Sequence, residues 1–212
     1  MPLAMGRFRL IVIDRNRLEA VSGKNSGTHF MSTSHLDPLR AVIKQCQTSH
    51  PPSPWELAGE YTVASLFDVG FDRDSELLLV SSSSGLGLFD CETGKKIARD
   101  TSDRALTDRF LECKGIGVLA NKTIRMAGVY GGSLPASTPD GWSIETVTLK
   151  WPEEHLLLLK PGSWLHGADC NRPSSFHKLA IEYDVRAFGF SYSGQTLVIA
   201  TSGDLVIYRR RH

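Results

Sequence analysis

Apolar residues along this chain come in short bursts, and the spacing inside each burst predicts the element. Near the start of the ordered pattern the period is helical. Leu39, Val42, Ile43 and Cys46 recur at i, i+3, i+4 and i+7, which places them on one face of a helix over about 37–47. Asp37 is placed to cap its first turn, Pro38 to take the first helical position, and "TSHPPSP" (48–54) to end it. After Trp55 the bursts shorten. "ELLLV", "GLGLF", "TIRMAGVY", "SIETVTL", "HLLLL", "AFGF", "TLVIAT" and "LVIY" are separated by Gly, Pro, Ser and Asp clusters. Regular alternation of short apolar runs with turn residues predicts a mainly β fold. Ahead of the helix, "RFRLIVID" (7–14) reads as one strand and "SGKNSGTHFMSTSH" (22–35) as a loose polar segment. The expected organisation is a loosely ordered N-terminal extension over 1–34, with Met31 as an alternative initiator, and a single β-rich domain over 35–212.

Two of the bursts belong to a repeat. "VGFDRDSELLLVSSSSGLGLFD" (69–90) aligns without a gap on "FGFSYSGQTLVIATSGDLVIYR" (188–209), at an offset of 119 residues. Gly70 falls on Gly189, Phe71 on Phe190, Leu78 on Leu197, Leu86 on Leu205 and Phe89 on Tyr208. Each copy reads as strand, turn, strand, turn, strand: an antiparallel meander. The offset is close to three periods of about 40 residues, a period typical of propeller blades. Weaker copies are expected at the intermediate registers, over 111–130 and 147–163.

The two clean copies, extended to 68–96 and 187–209, resemble the WD40-like β-propeller blade. Phe190, Ser191, Ser193, Gly194 and Leu197 match the family's pattern in the second copy, and Asp90, Thr93 and Gly94 match its closing turn in the first. Phe89 and Tyr208 stand where the family carries tryptophan, and the family's Gly-His pair is missing. The resemblance implies a propeller-like architecture. At 212 residues the chain is short for seven blades. That leaves a small ring, an incomplete one, or an open twisted meander sheet. A softer resemblance, over 124–159 and the terminal copy, is to small uncharacterised bacterial proteins of the immunity type.

Charge narrows the function classes. Lys plus Arg number 24 against 23 Asp plus Glu, so no global field recruits nucleic acid or an anionic membrane. The local basic run Arg209–Arg210–Arg211–His212 reads as a solvated tail. No apolar run approaches the roughly 20 residues that span a bilayer, and "LIVI" is short for the core of a secretion signal. Cys46, Cys91, Cys113 and Cys170 are widely spaced with no CxxC pair, which suggests reduced thiols of a cytoplasmic protein. Cys91 and Cys113 read as small packing residues.

The candidate chemistry is sparse. His166, Cys170 and His177, with Asp169 among them, lack the spacing of a zinc site. No cofactor or metal is expected. The acids Asp72, Asp74, Glu76, Glu153 and Glu154 read as turn and strand-end residues in solvent. The loop "VYGGSLPASTPDGW" (129–142) is no phosphate loop, because no Lys-Ser or Lys-Thr follows its glycines. Its "TPDGW" carries tight-turn chemistry. Tyr130 and Trp142 flank this loop and Trp164 follows the next strand; with His166 they are the candidate partner-binding residues. The expectation is a non-catalytic cytoplasmic protein-binding module, in its sharpest form an immunity protein that covers a toxin's active site. The alternative is a hydrolase-type enzyme using His166 with Cys170 or Asp169. A scaffold completed by oligomerisation is a third form.

Overall fold

The computed structural model describes residues 11–12, 36–102, 110–165 and 176–211. The expected mainly β fold with one N-terminal helix is what forms. Helix α1 (Asp37–Gln45) has its apolar face where the period places it, with Leu39 and Ile43 buried. Its start differs in detail. Leu36 is the N-cap, without a side-chain capping bond, and Asp37 lies inside the first turn, where it accepts a hydrogen bond from Arg40 at 2.8 Å. The helix ends two residues sooner than the apolar period suggests, because Cys46 is already extended.

The first repeat copy forms β3 (Leu66–Phe71), β4 (Leu77–Ser82) and β5 (Gly85–Asp90), and β6 (Lys95–Asp100) continues the meander. With the short β9 (Ala127–Gly128) these make a five-stranded sheet in the order β6-β5-β4-β3-β9. The second copy forms β13 (Val185–Phe190), β14 (Thr196–Thr201) and β15 (Asp204–Arg210). The two copies agree strand by strand in register. Phe71 pairs with Leu78 as Phe190 pairs with Leu197, and Leu78 with Phe89 as Leu197 with Tyr208. Even the irregularity at the start of the first strand recurs, between Leu66 and Asp68 and between Val185 and Ala187. The fourth strand of the second copy comes from the other end of the chain: β2 (Trp55–Thr62) runs antiparallel to β15.

A third sheet has the order β1-β10-β11-β12, from β1 (Ile11–Val12), β10 (Ser143–Lys150), β11 (Glu153–Leu159) and β12 (Phe176–Glu182), with β1 parallel to β10. The stretch 147–163 is therefore part of a meander, but its turn holds only residues 151–152, where the repeat copies have 72–76 and 191–195. The stretch 111–130 does not form a third copy. It folds as a small hairpin, β7 (Glu112–Lys114) with β8 (Thr123–Arg125), and then as β9. The run "TIRMAGVY" breaks at Met126, whose N–H donates to the Leu111 carbonyl at 2.7 Å instead of continuing the ladder.

Among the described residues no sheet closes on itself, so the arrangement is an open stack of twisted sheets. Four apolar clusters glue the layers. Phe71, Val80, Val198 and Ile207 lie between the first and second sheets. Trp55, Trp142, Leu156, Phe190 and Tyr208 lie between the second and third. Leu39 and Ile43 of α1 cover the third sheet's other face with Val147 and Leu157. The β7–β8 hairpin covers the first sheet's outer face with Cys113, Ile124 and Met126. Strands covered on both faces need continuous apolar sequence, which is why "ELLLV", "HLLLL" and "TLVIAT" show no alternation. The edge strand β6, "KKIARD", carries charge instead, which discourages further pairing. No helix among the described residues is long and apolar enough to cross a membrane.

The matched glycines mark where other chain segments cross the repeats. A Cβ on Gly70 would lie 2.3 Å from the Arg125 carbonyl oxygen, and one on Gly189 would lie 2.6 Å from Leu134 Cβ. Gly70→Ala is expected to lower stability by about 1–3 kcal/mol through overpacking. A lower urea midpoint at unchanged slope would register it.

Candidate functional site

The meander order sorts the turns onto two ends of the stack. Turns 72–76, 91–94 and 191–195, the turn 138–141 and the start of β2 gather at one end. Turns 63–65, 83–84, 129–132, 151–152, 183–184 and 202–203 gather at the other. Each end is a candidate surface, and the two differ in chemistry.

At the first end a cleft of about 1200 Å³ lies between the two repeat copies. Arg73, Glu76, Tyr192, Arg209 and Glu56 are among its walls. Arg73 and Tyr192 occupy the same repeat position, and the guanidinium lies 5.6 Å from the centre of the tyrosine ring. Glu76 reaches across from the first copy and accepts from the hydroxyls of Ser193 and Thr196 in the second. Lys122 Nζ bonds Asp72 at 2.8 Å and Asp74 at 2.9 Å. Asp90 receives the backbone N–H groups of Glu92 and Thr93, closing its own turn.

The basic run at the C-terminus is built into this end, contrary to the expectation of a solvated tail. Arg210 forms a fork onto Asp140, at 2.9 and 2.7 Å, and its guanidinium lies 4.8 Å over the Trp55 ring. That contact, helped by the Thr138 hydroxyl, holds the Asp140 carboxyl down at about 2. Arg211 and Arg209 both bond Glu56, Arg209 at 2.9 Å, and they lower its carboxyl too. The Asp140 turn is the one that "TPDGW" predicts, with the Gly141 N–H donating to the Thr138 carbonyl at 3.0 Å. Most of the charge at this end is thus satisfied within the chain.

The opposite end is different. Trp151 and Tyr183, in the turns 151–152 and 183–184, and Tyr130 in the turn 129–132 are 64 to 68% exposed. Glu154 and Glu182 sit directly opposite each other across β11 and β12. Burial raises both carboxyls above their ordinary value, with Asp184 adding to the effect on Glu154 and Asp204 to that on Glu182. Like charges in facing positions oppose strand pairing, and no basic side chain ion-pairs with either among the described residues.

The predicted site residues therefore do not form one surface. Tyr130 lies at this second end. Trp164, as exposed as Tyr130, follows β11 at the cleft end of the stack. Trp142 is a core residue, 6% exposed, with its ring edge-on to Trp55 at 6.0 Å. Its neighbours explain this: the 138–141 turn folds it back under β2. His166, Asp169 and Cys170 lie outside the described residues, and His177 sits partly buried on β12. Cys91 and Cys113 pack in the core as expected, and burial drives the Cys91 thiol well above its usual range. Trp151 and Tyr183 are additions to the sequence-based candidates. Both are aromatics set directly among charged or turn residues, "KWPE" and "EYD", and that flanking is the signal for exposure.

No protein-family model matches the chain, and no curated protein matches it.

The Glu76 bridge gives a direct test of the cleft's structural role. Glu76→Ala leaves the buried Thr196 hydroxyl without its acceptor and is expected to cost about 1–3 kcal/mol. Asp74→Ala, at an exposed ion pair, is expected to cost about 1 kcal/mol or less. Urea denaturation of the two variants should separate them.

Proposed function

We propose that this chain is a non-catalytic protein-binding module that engages a protein partner through the end bearing Tyr130, Trp151 and Tyr183. The observation that carries the reading is the exposure of three large aromatic rings on turns between packed strands. Exposed aromatics on a rigid scaffold supply contact area at low entropic cost and are enriched at interaction hot spots. The cleft end is a weaker choice because its arginines and carboxylates already hold one another. The Glu154–Glu182 pair, together with Asp184 and Asp204, favours a partner with a basic face.

The sharpest form of the proposal is an immunity protein of the cytoplasm. It would cover the active site of a toxin that carries a basic surface, and it would do no chemistry of its own. Matching registers in the two meander sheets, each completed to four strands or more, support kinship with WD40-like blades arranged as an open stack.

The tagged chain should capture one stoichiometric protein, basic in character, from its native cell, as read by mass spectrometry. Trp151→Ala combined with Tyr183→Ala is expected to weaken that capture by tenfold or more, about 1.4 kcal/mol, while Trp164→Ala leaves it within about twofold. No captured protein, or a capture indifferent to the double variant, would sink the proposal. Expression of the captured protein alone, with and without this chain, tests the toxin form.

A further inference from the structure

The least expected chemistry in the molecule lies away from both ends, on the face of the third sheet that α1 packs against. Lys178 on β12 is 1% exposed and His155 on β11 is 5% exposed. Neither His155 ring nitrogen has a hydrogen-bond partner, and each is sealed from solvent. No salt bridge reaches Lys178 among the described residues. Burying a polar ring without a partner costs free energy, and burying an unpaired ammonium costs more. The fold accepts both groups at the place where α1 and the residues after it are attached to the third sheet. Thr48 bridges to Lys178, and the Ser49 N–H donates to the Lys178 carbonyl at 2.9 Å.

We propose that His155 and Lys178, buried on the face of the third sheet that α1 packs against, form a proton-operated latch that releases α1 and residues 46–49 from that sheet as the medium acidifies.

The surroundings supply little to stabilise added charge. Directly opposite His155 on β10 is Val147, and on β12 is Ile181. Helix α1 meets this face with Leu39, Val42 and Ile43. Its own charges are engaged elsewhere: Asp37 and Arg40 bond each other at 2.8 Å, and Lys44 is exposed. Cys46 closes the helix on the same apolar cluster. The charged groups on this face are Lys178 itself, Glu153 two residues before His155, and Glu145 of β10, opposite Leu157. His177 of β12, also pushed below its ordinary 6.5 by burial and Lys160, pairs with Leu158 and points to the other face. Burial first, and then Lys178, push the His155 imidazole below its ordinary 6.5, with Glu153 pulling the other way. Burial likewise pushes the Lys178 amine below its ordinary 10.5.

The sign follows from linkage. A histidine whose folded-state pKa lies below its unfolded one favours the docked state while it is neutral. That advantage is complete above about 6.5 and is lost as pH falls below it. Lys178, depressed in the same direction, adds to the penalty for a second positive charge nearby. An acid-labile joint at α1 follows, while the repeat sheets, whose strands carry no histidine, are spared.

Hydrogen exchange of the full chain tests this between about pH 7.5 and about pH 5, corrected for intrinsic exchange rates. The open population of α1 amides is expected to rise by up to about tenfold per pH unit below 6.5, with little change in β3 to β5. His155→Phe should abolish the difference between α1 and the repeat sheets, and His177→Phe, on the opposite face of β12, should leave it in place. Equal acid sensitivity of α1 and β3 to β5, or persistence of the difference in His155→Phe, overturns the latch. Should that variant fail to fold, NMR titration of the His155 ring in the unmodified chain decides. Protonation at or above 6.5 overturns the proposal, and protonation below it supports it.

Discussion

Everything in this fold leans on the pairing of β2 with β15. Register runs from Trp55 opposite Arg210 to Thr62 opposite Asp204, so the strand that follows α1 is fastened along its whole length to the last strand of the chain. β2 also feeds both central cores. Trp55 packs between the second and third sheets, where it meets Trp142, Phe190 and the Arg210 guanidinium. Tyr61 packs between the first and second sheets, edge-on to Phe89 at 4.8 Å, and its hydroxyl bonds the Gly94 carbonyl. One strand thus fixes the spacing of three sheets. Without it β15 becomes the edge of the second sheet, and the two cores lose Trp55 and Tyr61.

How much of this is legible in the sequence depends on the range of the forces involved. The repeat is readable because its determinants are local: turn residues, apolar runs and two glycines recur at the same offset, and the strands then adopt the same register. Helix α1 is readable because its face has a clear period. The partner of β2 is not readable. "WELAGEYT" shows only weak alternation, and its pairing is set by a strand roughly 150 residues later. The segment 111–130 misleads for a related reason. Its apolar residues mimic a blade, yet they serve as a cap on the first sheet, and the capping role is visible only once that sheet exists. Trp142 and Trp151 make the same point in a single residue type. A turn folds one beneath β2, and the other sits at the tip of a two-residue turn with nothing above it.

The same logic governs charge. Arg209, Arg210 and Arg211 read as a soluble tail because arginines in a row at a terminus usually are one. Here β15 extends into the run, alternation sends the side chains to different partners, and Trp55, Asp140 and Glu56 receive them. Glu154 reads as a solvent residue, and register instead sets it opposite Glu182. The candidate binding surface was half legible: Tyr130 is where an exposed loop aromatic should be, while Trp151 and Tyr183 needed the meander order to bring their turns to one end. His155 and Lys178 were hidden in apolar runs, "HLLLL" and "FHKLA", where a polar residue gives no warning of its depth.

The stitching of β2 to β15 also imposes an order in time. A ribosome makes β2 long before β15, its one ladder partner among the described residues, so the nascent chain carries a strand unpaired on both edges through most of its synthesis. The first sheet, with its local hairpins, can assemble as it emerges; the second waits for the C-terminal residues and must then close a loop that spans most of the chain. Such non-local closure is slow compared with hairpin formation. During that interval the waiting strand's own composition is its protection. "WELAGEYT" holds two glutamates and a glycine, which is a poor template for pairing with a neighbour's edge.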